Sequence, residues 1–189
     1  GVPRKLKREY YICKAGSKMF YSDIKTCDIA NGPGVRVTIF VSGCTHHCKG
    51  CFNEVTWNFQ YGREFTEDTI EEILQALAPD YITGLTLLGG EPLEYVNQKG
   101  LLPLVRAVKE QYPQKDIWCY SGYLFDEQIV KDFCNRWEET RELLGYLDVL
   151  VDGKFIEEQK NISLQFKGSE NQRIIRVQES LKSGQIVLW

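Results

Sequence analysis

Three cysteines and both histidines of the chain lie within the eight residues from Cys44 to Cys51. The run from Ser42 to Asn53 reads SGCTHHCKGCFN, so the cysteines are spaced C-x3-C-x2-C. Thiolates suit both zinc and iron–sulfur clusters. A structural zinc site would take Cys44, Cys48 and Cys51, with His46 or His47 as the fourth ligand. Closed zinc sites usually draw on two separated ligand pairs, and outside this loop the sequence holds no CxxC or CxxH. A 4Fe-4S cluster on three cysteines leaves one iron without a protein thiolate, where a substrate or cofactor can bind. The spacing favours the cluster and leaves zinc open.

Such a loop must be positioned by ordered elements. Val35–Val41 is β-branched and apolar and ends at Ser42 and Gly43, which predicts a buried strand. Ile70, Ile73, Leu74 and Leu77 keep helical spacing, with Asp68 and Glu71 as a possible capping box and Pro79 as the stop. A second strand is expected over 84–90. Leu101, Leu104, Val105 and Val108 mark a second helix, and Asp116–Ser121 a third strand. Asp126 is expected to cap a third helix carrying Ile129, Phe133 and Trp137, and Tyr146–Val151 is a fourth strand. Strands and helices alternate, with later strands starting roughly every thirty residues, as in βα units with a parallel sheet. The Cys loop, Gly89-Gly90-Glu91-Pro92, Ser121-Gly122-Tyr123 and Asp152-Gly153-Lys154 each follow a strand. Ligands bind at the carboxyl edge of parallel strands, so four such clusters imply one shared site. The units are too few for an eight-fold barrel. The expected fold is α/β, a partial, open βα barrel over 31–189 with a short β-rich N-terminal extension over 1–30.

The chain has 189 residues and a net charge of −3, which suits one domain with a sizeable core. Aromatic residues make up 12%, a globular rather than disordered composition. The acidic balance argues against non-specific nucleic-acid binding. No apolar run reaches membrane-span length, and the basic opening GVPRKLKREYY lacks the apolar core of a secretory signal. Seven cysteines, three crowded and four scattered, point to a reducing, cytoplasmic setting rather than a disulfide framework. Cys13 and Cys27 read as plain thiols, and Cys119 and Cys134 as packing residues. Trp57, Trp118 and Trp137 read as core.

C-x3-C-x2-C after a strand, followed by Phe52 and Asn53, resembles the signature of the radical S-adenosylmethionine (SAM) enzymes. Gly89-Gly90-Glu91-Pro92 is similar to that family's GGEP motif. Asn31-Gly32-Pro33-Gly34 resembles the activating enzymes of glycyl-radical proteins. LLGGEPL, DIWCYSGY, LDVLVDGKF, FKGSENQRIIRVQESL and the final IVLW add a likeness to the activators of anaerobic ribonucleoside-triphosphate reductase, from about Tyr21 to Trp189.

The resemblance implies that Cys44, Cys48 and Cys51 ligate a 4Fe-4S cluster and that SAM chelates the open iron. Gly89 and Gly90 would lie against the methionine amino group, and Glu91 would hold either the loop or that group. Asp152 would contact ribose, Lys154 the SAM carboxylate, and Ser121 either SAM or a turn. Phe52 would shield the adenine and Asn53 fix the loop. His46 and His47 would tune the cluster by hydrogen bonding or stand solvated. Arg36 and Lys49 could meet an acidic partner. Cys119 and Tyr120 stand where activators of pyruvate formate-lyase carry an Asp, so a cation site of that kind is not expected.

The implied reaction is reductive cleavage of SAM, with the 5′-deoxyadenosyl radical taking hydrogen from a glycine of the reductase. A reduced flavodoxin or similar donor supplies the electron, with no nucleic acid or membrane involved. Two alternatives are a radical SAM enzyme acting on a small molecule and a non-catalytic zinc-binding interaction module.

Overall fold

The computed structural model describes residues 18–189; Cys13 and the basic opening run lie outside the described residues. Seven strands form one sheet: β1 (Phe20–Asp28), β2 (Val35–Val41), β3 (Arg63–Glu64), β4 (Ile82–Gly89), β5 (Asp116–Tyr120), β6 (Val149–Asp152) and β7 (Arg173–Arg176). Their order is β3-β1-β2-β4-β5-β6-β7, so the sheet does not close. The central strands β2, β4, β5 and β6 are parallel, as the βα spacing predicts. β1 and β7 flank them antiparallel, and β3 pairs antiparallel with β1 at the outer edge. Register is set by position: Val41 at the end of β2 lies beside Gly89 at the end of β4, and Tyr120 beside Val151.

Side chains alternate across a strand, and here the two faces differ. Val37, Ile39, Val41, Leu85, Leu87, Ile117, Cys119 and Leu150 enter the main core. Helices α1 (Glu67–Leu77), α2 (Tyr95–Gln111), α3 (Phe125–Phe133, wound in π turns), α4 (Glu138–Tyr146) and α5 (Val177–Ser183) supply its other side. The opposite face carries a small cluster of Trp118, Val149 and Val151 with Tyr120, Phe166 and Ile174. It also carries Arg36, which is fully buried. The Arg36 guanidinium donates to Thr86 Oγ1 (2.8 Å), to the carbonyls of Pro33 and Leu85, and to Asp116. Its charge is therefore satisfied inside the chain and does not meet an outside partner. Lys49 likewise lies near Glu157 and Glu158 of its own chain, at 3.5 and 3.6 Å.

Several local expectations are corrected. The box at the start of α1 is formed by Thr66 and Thr69, where the Thr66 N–H donates to Thr69 Oγ1 at 3.1 Å, not by Asp68 and Glu71. Leu124, not Asp126, precedes α3, and Gln128 Oε1 accepts the Leu124 N–H at 2.8 Å. Asp126 instead accepts from Arg173. Tyr146 ends α4, and the last parallel strand starts only at Val149. The Glu138–Tyr146 helix, β7 and α5 carry too few apolar residues in period to announce themselves. Trp118 and Trp137 do pack as core, Trp137 against Tyr95 and Phe133.

Candidate metal centre

The carboxyl ends of β2, β4, β5 and β6 open on one cavity of about 430 Å³, within the range of small-molecule sites. Cys44, Cys48, Cys51, Gly89, Gly90, Ser121 and Lys154 all line it. The four clusters that follow strands in the sequence thus meet at one place.

The Cys loop is built by backbone hydrogen bonds to its own continuation. The Gly43 N–H donates to the Thr56 carbonyl (2.7 Å) and the Cys44 N–H to that of Trp57 (3.4 Å), across the short helical turn Glu54–Trp57. The Asn53 N–H reaches Cys51 Sγ at 3.4 Å, and the Asn53 carbonyl accepts from Thr56 Oγ1 at 2.7 Å. Asn53 therefore holds the loop through its backbone. Burial pushes the Cys44 thiol up to about 12, with the negative field of Glu91 adding to it. Burial also raises Cys48, with the neighbouring Cys51 second and Lys154 opposing.

Glu91 is fully buried, and its carboxylate accepts from His46 Nε2 (2.7 Å), Gly122 N (2.7 Å), Leu93 N (2.9 Å) and Ser121 Oγ (3.0 Å). Its acceptor capacity is taken up by three loops of the protein, so it holds the loops rather than a ligand. The Ser121 hydroxyl donates to Glu91 and accepts the Tyr123 N–H at 3.1 Å, a turn role. The His46 side chain is only 6% exposed, packed edge-on to Tyr123. His47 stacks on Trp57 with ring centroids 4.3 Å apart. His46 is therefore bonded inside the protein, whereas His47 is exposed on the loop.

Gly89 and Gly90 let the Cys loop close onto the end of β4. Gly89 has φ +109°, and a Cβ there would meet the backbone N of Val41 at 2.4 Å. At Gly90 a Cβ would lie 2.6 Å from the Gly43 carbonyl oxygen. The same bareness leaves both glycines at the cavity wall. Lys154 is exposed at the cavity and makes no ion pair among the described residues. Phe52 is 80% exposed and lines the cavity.

Asp152 departs from the expected ribose contact. It is fully buried, outside the cavity lining, and its carboxylate is taken by Arg173 (3.0 and 2.6 Å) and the Phe125 N–H (2.8 Å). Sequence spacing put Asp152 and Lys154 on one side, but Gly153, with φ +98°, turns the chain between them.

Sequence reasoning missed the link from Thr45 to Glu94 and Tyr123, 49 and 78 positions away, and treated Trp57 as core. Trp57 lines the cavity, and its buried indole N–H has no hydrogen-bond partner among the described residues. Among the described residues, no three His, Cys, Asp or Glu side chains already stand close enough together to hold a metal ion, so their spacing alone does not separate zinc from a cluster. Three thiols, an unpaired ammonium, an orphan indole donor and a cavity of this size do fit a cluster with an adenosyl cofactor beside it.

Residues 30–175 match the family described as a single 4Fe-4S cluster domain. The chain is 43% identical to the anaerobic ribonucleoside-triphosphate reductase-activating protein of Enterobacteria phage T4, over 82% of this chain and 93% of that one. The proteins of the same name from Haemophilus influenzae and Vibrio cholerae are 45% and 42% identical over 84% of this chain and 98% of theirs. With most of its length aligned to these proteins and its three thiols in one cavity, the chain belongs to the family of anaerobic ribonucleoside-triphosphate reductase-activating proteins.

Proposed function

We propose that this chain activates an anaerobic ribonucleoside-triphosphate reductase with a 4Fe-4S cluster held by Cys44, Cys48 and Cys51, and with SAM as co-substrate. The observation that carries this is the meeting of three thiols, Gly89-Gly90 and Lys154 on one cavity at the ends of four parallel strands. When bound, a cluster with one iron free of protein thiolate supplies the electron that cleaves SAM reductively, so that a glycine of the reductase loses hydrogen. The protein's residues bind and orient. Lys154 offers a charge-assisted hydrogen bond to the SAM carboxylate. Gly89 and Gly90 permit close backbone approach to the methionine end. Phe52 is placed to cover the adenine. Glu91 and Ser121 keep the strand-end loops in register, and Asp152 stands behind the cavity as support through Arg173.

The open α/β sheet, helices on one face, supports a partial radical SAM barrel over 31–189, with 1–30 as an extension whose β1 joins the sheet between β2 and β3. An open mouth suits a loop of a protein substrate better than a small molecule. A reduced flavodoxin or similar donor and a cytoplasmic site complete the reading. No helix among the described residues is long and apolar enough to cross a membrane.

The test is anaerobic reconstitution with iron and sulfide. Four irons per chain, 5′-deoxyadenosine on addition of SAM and dithionite, and a glycyl-radical doublet in electron paramagnetic resonance once the reductase is present are expected. Cys44→Ala, Cys48→Ala and Cys51→Ala should each lose the cluster. A protein that binds one zinc and no iron, or forms deoxyadenosine but never the doublet, overturns the proposal.

A further inference from the structure

Glu94 reaches the cluster loop from the start of α2, and no motif accounts for it. It occupies the position before the first helical residue, where Ser, Thr, Asp or Asn usually caps the helix, and its side chain makes no such bond. Instead, buried at 8% exposure, its Oε1 accepts from Thr45 N (2.9 Å), Thr45 Oγ1 (2.6 Å) and Tyr123 OH (3.4 Å). Thr45 lies between Cys44 and Cys48. The carboxylate thus pins the turn that joins two of the proposed ligands to the β5 edge.

Hydrogen bonding alone does not require an acid here. A glutamine oxygen could accept from Thr45 equally well, and it would avoid burying a charge, which costs several kcal/mol. Burial raises the Glu94 carboxyl above its ordinary value, with Glu91 adding to the rise and the Thr45 hydrogen bonds opposing it; three donors meeting on one oxygen, at the positive end of a helix, favour the ionised form. Thr45 directly follows Cys44, so the carboxylate hydrogen-bonded to it sets a negative field beside that thiol. An electron added to a cluster on Cys44 enters that negative field, so the reduced state is disfavoured and becomes a stronger reductant.

We propose that Glu94 is a positioning residue that sets the cluster's reduction potential: it fixes Thr45 between Cys44 and Cys48 and holds a negative charge beside the cluster, keeping the potential low. This rests on the cluster assignment above. The step concerned is a one-electron reduction of the cluster from 2+ to 1+ by an external reductant, with no bond made or broken.

Wild-type protein, E94Q and E94D are reconstituted anaerobically, and the reduced-cluster resonance is followed against potential. E94Q, which keeps an acceptor for Thr45, should retain four irons. Its ratio of reduced to oxidised cluster at a fixed potential should be about tenfold higher than wild type, a shift of about 59 mV for one electron. E94D, which keeps the charge, should stay near wild type. Equal midpoints for E94Q and wild type at equal iron content overturn the proposal, as does an E94D shift as large as that of E94Q. An E94Q protein that loads no iron also overturns the proposal, since its amide oxygen still accepts from Thr45. A wild-type protein with no reducible four-iron cluster defeats the function proposed above instead, before any variant is compared.

Discussion

The carboxylate of Glu91 ties together the loops after β2, β4 and β5, and its removal can be costed. Four groups donate to it: His46 Nε2, Ser121 Oγ, Gly122 N and Leu93 N. In Glu91→Ala the serine hydroxyl can rotate and the imidazole can shift, but the two backbone N–H groups cannot. Each buried orphan donor costs about 1–3 kcal/mol, so the pair costs about 2–6. A water entering the vacated space recovers part of this, leaving a loss of about 3 kcal/mol. Glu91→Gln keeps the shape, but its amide NH₂ must face at least one donor, for a loss of about 2 kcal/mol. Urea unfolding of the iron-free, thiol-reduced protein measures both. With a slope near 2 kcal/mol/M, Glu91→Ala should lower the midpoint by about 1.5 M and Glu91→Gln by about 1 M. A shift under about 0.3 M for Glu91→Ala would show that these hydrogen bonds do not hold the site together.

Further consequences are open to measurement. Gly89→Ala meets both a positive φ and the Val41 backbone, and should cost about 3 kcal/mol or more. Gly153→Ala has a positive φ but its nearest neighbour lies 3.5 Å from the added Cβ, so about 1–2 kcal/mol is expected in the same unfolding assay. Lys154→Met keeps the aliphatic stem and removes the charge; SAM binding to reconstituted protein, followed by equilibrium dialysis, should weaken about ten- to a hundredfold, from the 1.5–3 kcal/mol of a charged hydrogen bond. Asp126 is held below its ordinary value of 3.8 by the hydrogen bond from Arg173, against burial. The folded pKa is the lower one, so this contribution is full above the ordinary carboxylate range and fades as pH falls through the folded value. Asp126→Asn should flatten the fall in stability below about pH 4, and an unchanged acid slope would refute the assignment.

Residues near one another in the chain made much of this protein legible. The three cysteines are spaced within one loop, the two glycines end a strand, and the apolar runs of β2, β4 and β5 alternate with helical periods. Each pattern is local, and local geometry follows from it whatever surrounds it. Placement of the four clusters at one edge followed because parallel βα units bring strand ends together.

What tertiary structure alone decided is which polar groups answer one another. His46 meets Glu91, Thr45 meets Glu94, Arg36 meets Asp116, and Arg173 claims Asp152. No periodicity relates these positions. Strand register and the path of each loop bring them within hydrogen-bonding reach, and burial then makes the pairing compulsory, because an unpartnered polar group inside costs more than the bond returns in water. The thiols proposed as ligands could be read from their spacing, whereas the carboxylate contacts that hold their loop in place could be assigned only after the sheet was assembled.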